Sequence, residues 1–218
     1  MEVLIIDDHP IQIDGYKTTL SLSDIEEPLR FTSCNNCEEA YKVITAPQNK
    51  NRFTLAIIDY SIPPFESQKL FNGEDVALLM QQHFPETKIA IITSHTEAIV
   101  LYNVLKKVNP QGLMVKSDID GESLLEAFSQ LTKGNGYYSE TVRQAKKTLI
   151  SKEDLLDPTN RKIIELLAQG IKTKNIPTHL ALSQSAVEKR KSRIKDVLDI
   201  TKGNDEDILR EVRKLGLL

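Results

Sequence analysis

Five short strand-like runs, most of them apolar, separated by helix-length segments constrain this chain more than any other feature. The runs predict strands over Glu2–Ile6, Arg30–Cys34, Thr54–Asp59, Lys88–Thr93 and Gly112–Val115. Between them, helices are predicted from Pro10 or Ile11 to Ser21, then over Cys37–Ala46, Gly73–His83, Glu97–Lys107 and Gly121–Thr132. Val76, Leu79 and Met80 recur at helical spacing in the third of these, the signature of one buried helix face. Strands that alternate with helices belong to crossover connections, so the expected class is α/β with a doubly wound, five-stranded parallel sheet.

In such a sheet, ligands collect in the crevice outside the carboxyl ends of the strands. Three runs end in charged residues: Asp7 and Asp8 follow the first, Asp59 closes the third, and Lys116 follows the fifth. Parallel strands would bring three carboxylates and an ammonium to one pocket. Carboxylates that close repel one another unless a cation is present. The pocket therefore suits a divalent cation together with a phosphoryl group.

After the last predicted helix the pattern breaks. Gly134-Asn135-Gly136 ends that helix, Tyr137–Lys147 reads as partly helical, and Lys152–Asp157 is charged. We expect residues 1–133 to form the α/β domain, 134–154 a linker, and 155–218 a small all-α domain. Charge divides in the same way: residues 1–150 hold 14 Lys and Arg against 20 Asp and Glu, and residues 151–218 hold 14 against 11. Only the second part is net basic, which favours contact with a polyanion there. No apolar run is long enough for a membrane span and the first residues lack a signal-peptide pattern, so no membrane contact and a cytoplasmic location are expected. Cys34 and Cys37 form a C-x-x-C, but Glu38 and Glu39 follow at once and no second cysteine pair exists to complete a zinc site. They read as two reduced thiols.

Ile5-Ile6-Asp7-Asp8-His9-Pro10, Ile57-Ile58-Asp59, Ile91-Ile92-Thr93-Ser94 and Val115-Lys116 resemble, in order and spacing, the receiver domain of two-component response regulators, a flavodoxin-like fold. The resemblance implies that Asp59 is the phosphoacceptor, a carboxylate nucleophile toward a phosphoryl donor. It also implies that Mg²⁺ is held by Asp8 and Asp59 directly, by Asp7 mainly through water, and by the backbone carbonyl of Ser61. Thr93 and Lys116 would contact the phosphoryl group. Two features depart from the family. Leu113 and Met114 stand where many receivers carry a switch aromatic, the nearest candidate being Tyr102 on the preceding helix. The glycine usually found about eight residues after the phosphoacceptor is Gly73, fourteen residues on. Phe65, Leu70 and Phe71 in that long loop either cover the pocket, meet a partner, or pack on the helix that follows.

Farther on, Leu156, Asp157, Pro158, Arg161, Ile163–Gly170, Lys174, Ile176, Leu180, Leu182, Ser183, Val187, Ile194, Leu198 and the ending Leu215–Leu218 resemble the LuxR-type helix-turn-helix of NarL/FixJ response regulators. Ile163, Leu166 and Leu167 form an apolar face closed by Gly170, and Ser183 is a candidate N-cap for a helix over Gln184–Leu198. Lys189, Arg190, Lys191, Arg193 and Lys195 crowd that helix against Glu188 as the one acid among them, a phosphate-contacting pattern. Ser183 and Gln184 stand at its start, where such a helix meets DNA. The resemblance assigns base-facing positions to Glu188, Lys189 and Ser192. Asn160 replaces the family's usual Glu, and Pro177 sits in the supporting helix, which should therefore begin late or be short. Asp205–Leu215 is amphipathic and either pairs two copies or packs on its own domain.

Together these expectations describe a transcriptional response regulator phosphorylated by a sensor histidine kinase, binding double-stranded DNA and dimeric when active. It is not expected to be an enzyme. A response regulator acting through protein contacts is the alternative. A haloacid-type phosphatase would want a second acid two residues after the nucleophile, where Ser61 stands.

Overall fold

A computed structural model of the chain describes residues 1–150, 155, 157–215 and 218, the side chains of 149 and 150 excepted. Leu156, Gly216 and Leu217 of the helix-turn-helix resemblance, and residues 151–154 of the expected linker, lie outside the described residues. The chain divides into two compact units, Met1–Thr96 with Asn103–Gln144, and Glu97–Tyr102 with Ala145–Leu218. Among the described residues no helix is long and apolar enough to cross a membrane.

Residues 1–132 alternate β1 (Glu2–Ile6), α1 (Pro10–Leu20), β2 (Arg30–Cys34), α2 (Cys37–Thr45), β3 (Leu55–Asp59), α3 (Gly73–His83), β4 (Lys88–Thr93), α4 (Ala98–Lys107), β5 (Gly112–Val115) and α5 (Gly121–Thr132). All strand pairs are parallel, in the order β2-β1-β3-β4-β5, with a sixth strand beyond β5. Val3, Ile5, Leu55, Ile57, Ala90, Ile92 and Met114 face one layer, packed on Ile13 and Leu20 of α1 and Leu124, Phe128 and Leu131 of α5. Their neighbours Leu4, Ile6, Ala56, Ile58, Ile91 and Leu113 are equally buried. Both faces of a parallel sheet are covered, which is why these strands are continuously apolar rather than alternating.

A sixth strand extends the sheet where the sequence suggested a connection. β6 (Tyr137–Tyr138) pairs with Gly112 and Leu113 at the β5 edge and leads into α6 (Glu140–Ile150). Tyr137 N–H donates to the Gln111 carbonyl at 2.9 Å and Ser139 N–H to the Leu113 carbonyl at 3.1 Å. Two residues are too few for any periodicity to register.

The second unit is helical: α7 (Pro158–Ala168), a 3-10 turn at Thr173–Asn175, α8 (Ile176–Leu180), α9 (Gln184–Val197) and α10 (Asp205–Lys214). Asp157 caps α7 by accepting from the N–H groups of Thr159 and Asn160, and Gly170 closes it at φ +80°. Pro177 lies in the first turn of α8, a helix of five residues, as its missing N–H requires. Ser183 caps α9 by accepting from Ala186 N–H at 3.2 Å. Ile163, Leu166, Leu167, Ile176, Val187, Ile194, Ile208 and Val212 make one core. Of the two expectations for the tail, α10 turns its apolar face inward, burying Ile208 and Val212 in its own domain.

Candidate functional site

Because β1 and β3 are neighbours while β2 lies on the far side of β1, the chain reverses direction across the sheet at their carboxyl ends. This is the switch point at which open α/β sheets hold ligands. Asp7 leaves β1 there, Asp59 ends β3, Thr93 ends β4, and Lys116 opens a 3-10 turn directly after β5. The Lys116 ammonium bridges the cluster, 2.9 Å from Asp59 Oδ2 and 3.3 Å from Asp7 Oδ2. Residues 7, 59 and 116 are thus joined by topology alone.

Burial pushes the Asp59 carboxyl above its ordinary range, against the opposing hydrogen bond and charge of Lys116. Burial also acts to lower Lys116, but the hydrogen bond and charge of Asp59, with Asp7 behind, outweigh it and the ammonium is held above its usual value. The Tyr16 phenol, pushed up first by burial and then by the charges of Asp7 and Asp59, marks the α1 wall of the pocket. A second cation would relieve the residual repulsion among the carboxylates.

One polar atom identifies where that cation would fit. Asp8 Oδ1 is buried, and no donor among the described residues is aimed at it, although the His9 ring nitrogen stands 2.7 Å away. Asp7, Asp8, His9 and Asp59 each offer a ligand atom within 4.8 Å of the others. Three carboxylates are a hard, oxygen-rich set of the kind that holds Mg²⁺ through one or two direct bonds. His9 was absent from the sequence-based site; its only signal was its place directly after the acid pair. Ser61 borders the pocket, its N–H 3.4 Å from Asp59 Oδ1.

Gly73 explains how the long loop after Asp59 leaves the site undisturbed. Its N–H donates to the Tyr60 carbonyl at 2.8 Å, so α3 begins against the end of β3. A Cβ at this position would lie 2.0 Å from the Asp59 carbonyl oxygen. The loop between folds on itself, with Phe65 and Leu70 paired as an antiparallel bridge and Lys69 turning at φ +57°. Phe65 packs edge-on against Tyr41 of α2, with ring centroids 5.7 Å apart, and Phe71 remains exposed. The loop leans on α2 as well as on α3. Cys37 N–H donates to the Pro63 carbonyl, and both cysteines are buried free thiols.

In the helical unit, the five cations of α9 separate into two groups. Arg190 donates to Asp157 Oδ1 at 2.9 Å and to Asn160 Oδ1 at 2.8 Å, tying α9 to the start of α7. Asn160, the departure from the expected Glu, is buried. Lys191 pairs with Asp205 and bonds Thr173 Oγ1, and Lys195 donates to the Gly203 carbonyl. Lys189, Arg193, Gln184, Glu188 and Ser192 are exposed. Gln184 Nε2 donates to Glu188 Oε1 at 2.8 Å, and the N-cap Ser183 is exposed beside them. Helical spacing gave the faces of α9 correctly. It could not show that long side chains at the borders bend back onto α7 and α10.

No family model matches the chain. Among curated relatives it is similar to the oxygen regulatory protein NreC of Staphylococcus haemolyticus, 28% identical over 212 residues that span 92% of each chain. Among solved structures it is similar to RcsB of Salmonella enterica serovar Typhimurium bound to promoter rprA in the presence of phosphomimetic BeF3-, at 22% identity, covering 97% of this chain and 98% of that one with a TM-score of 0.63. A LuxR-family two-component response regulator from Aurantimonas sp. SI85-9A1 matches at 19% identity over 66% of this chain and 93% of that one, with a TM-score of 0.53. At these identities the solved structures establish the fold. A receiver fold with its acidic switch-point pocket, followed by a helix-turn-helix and paralleled by relatives along nearly the whole chain, defines a two-component response regulator. Within that class the chain is similar to regulators of the NarL/FixJ type.

Proposed function

We propose that the chain is a DNA-binding transcriptional regulator switched by phosphorylation of Asp59. The carrying observation is the Lys116 bridge between Asp59 and Asp7, one ammonium and two carboxylates from three strand ends brought to one place. A carboxylate oxygen of Asp59 attacks the phosphorus of a sensor kinase's phosphohistidine. The P–N bond breaks, and the imidazole leaves and takes up a proton. Phosphoryl transfer of this kind depends on positioning and charge neutralisation. Lys116 is within reach of an oxygen carried by Asp59, and Thr93 supplies a hydroxyl at the neighbouring strand end. Asp8 and Asp59, with Asp7 behind them and the Ser61 carbonyl beside them, would hold Mg²⁺, which supplies the remaining positive charge. The product is a signal rather than a turnover intermediate.

The output belongs to α9. Lys189, Arg193, Ser183 and Ser192 suit phosphate and base contacts in a major groove, with Gln184 and Glu188 beside them, while Arg190, Lys191 and Lys195 hold the helix to its neighbours. Two copies on adjacent half-sites would match a symmetric operator. Incubation with acetyl phosphate should label the wild-type chain stoichiometrically and leave Asp59→Asn unlabelled, and phosphorylated protein should retard genomic DNA fragments. Labelling of Asp59→Asn would refute the phosphoacceptor assignment. Absence of any retarded fragment would favour a regulator that acts through protein contacts.

A further inference from the structure

The receiver carries no aromatic at the end of β5, where Leu113 and Met114 are buried, yet the pocket does contact an aromatic pair by another route. Thr93 is buried, and its Oγ1 accepts the backbone N–H of His95 at 3.0 Å. The His95 ring in turn stands edge-to-face on Tyr60, with centroids 5.3 Å apart and planes at 85°, a favourable aromatic arrangement. Tyr60 follows Asp59 directly, and its N–H donates to the Ile92 carbonyl at 2.8 Å, one residue before Thr93. Beyond Tyr60 lies a charged brace: Lys107, at the end of α4, pairs with Glu74 and, at 3.7 Å, with Asp75, both in the first turn of α3. Glu74 is buried, and Glu74, Lys107 and Asp75 are the charges that act on the Tyr60 phenol.

We infer that His95 and Tyr60 form the relay by which the state of Asp59 leaves the pocket, taking the place of a switch aromatic on β5. The inference rests on Asp59 being the phosphoacceptor. The Thr93 hydroxyl links the two sides, since it can accept on one and donate on the other. In the structure it accepts from His95 N–H; with a phosphoryl group on Asp59 it turns to donate to a phosphoryl oxygen. The turn moves the oxygen that accepts the His95 N–H, and the backbone at residues 94–95 moves with it. Because the His95 ring is packed on Tyr60, the ring pair repacks with it, and the Lys107–Glu74–Asp75 brace feels the displaced phenol. Such a relay is a two-state element biased from one end, which is what coupling between separated sites requires.

The test uses the full-length chain carrying 3-fluorotyrosine, with the Tyr60 resonance among the six tyrosines assigned through Tyr60→Phe. Beryllofluoride with Mg²⁺ serves as the phosphoryl mimic, and Asp59 loading is measured separately with acetyl phosphate. In the wild-type chain the Tyr60 resonance should move on loading. In His95→Ala it should stay in place at the same extent of loading, and His95→Phe, which keeps a ring edge at Tyr60, should restore the movement. The gain in DNA affinity on loading, of the order of 5-fold or more for a coupled pair of sites, should be lost in His95→Ala and recovered in His95→Phe. A resonance that moves undiminished in His95→Ala, or a wild-type resonance that stays fixed at full loading, overturns the relay and leaves the phosphoacceptor intact. Failure of the wild-type chain to load overturns both. If His95→Ala does not fold, Tyr60→Leu gives the same reading through DNA affinity alone.

Discussion

Replacing Gly73 with alanine should damage the receiver far more than an alanine in a helix normally would. The added Cβ would meet the Asp59 carbonyl oxygen at 2.0 Å, its carbon at 2.9 Å and Ile58 Cγ2 at 3.0 Å. Ordinary contact begins near 3.4 Å, so the closest approach is short by 3.4 − 2.0 = 1.4 Å. The two nearest obstacles are backbone atoms and the third is a methyl on the branched Cβ of buried Ile58, so none is the free end of a flexible side chain. The start of α3 must therefore retreat, and the 2.8 Å bond from Gly73 N–H to the Tyr60 carbonyl goes with it. Loss of that bond costs about 1 kcal/mol, and overpacking against backbone adds roughly 1–3 kcal/mol. The sum, about 2–4 kcal/mol, is a large share of the ~5–15 kcal/mol that separates a typical domain from its unfolded state. Urea unfolding of the full chain, with the two units fitted as separate transitions, should show it in the receiver transition alone. Gly15 supplies the internal control. It lies exposed within α1, and a Cβ there meets nothing within 4 Å. Gly15→Ala should stabilise the same transition by about 0.5–1 kcal/mol through helix propensity. If Gly73→Ala unfolds at the wild-type urea concentration and accepts phosphate normally, the close packing of α3 on Asp59 is refuted.

Three further expectations follow from the same geometry. Lys189→Ala should weaken DNA binding across sequences and flatten the salt slope by roughly one unit without lowering thermal stability. Arg190→Ala should instead destabilise the helical unit by about 1 kcal/mol, and equal effects of the two on stability would contradict the separation of the α9 cations. Cys34 and Cys37 are fully buried, and burial, followed by Glu39 for Cys34 and Asp75 for Cys37, pushes their thiols up to about 12 and about 11; thiol reagents at pH 8 should modify neither until denaturant opens the domain, and fast labelling of the native chain would oppose this. Asp118 is held below its ordinary range: burial pushes upward, but bonds from Ser139 Oγ and from Thr141 N–H and Oγ1 outweigh it. A depressed carboxyl stabilises the fold fully above the unfolded value near 3.8 and loses that contribution as pH falls through and below it. Asp118→Asn should thus cost about 1–3 kcal/mol at pH 7, with the deficit shrinking toward pH 3 in urea titrations; a deficit that does not change with pH would assign it to shape instead of charge.

Most of the first unit was legible because a parallel sheet buried on both sides writes its strands as unbroken apolar runs. Predicted and observed bounds coincide for β1, β4 and β5, and also for the edge strand β2, which is only partly buried and is not an apolar run. The pocket was legible for the related reason that charged residues directly after such runs have one place to go. His9 was not, since adjacency in the chain does not say that a ring will fold back on Asp8. The roles of Arg190, Lys191 and Lys195 stayed hidden because their partners, Asp157, Asn160, Asp205 and Gly203, come from other elements. The Tyr60–His95 pair was hidden for the same reason, joining the ends of β3 and β4 through side chains that no periodicity connects.

The short strand β6 has a practical consequence for isolating the α/β unit. Ser139 Oγ accepts the N–H of Val115 at 3.1 Å and donates to Asp118 at 2.7 Å, so the residue just before Lys116 is stitched from outside. A chain cut after Thr132 would strip that cover and leave the β5 edge with open N–H and C=O groups. Edges of that kind recruit other chains. Such a fragment should self-associate and hold Lys116 loosely, whereas one ending beyond Gln144 should stay monodisperse, which makes these few residues the seal on the edge of the sheet.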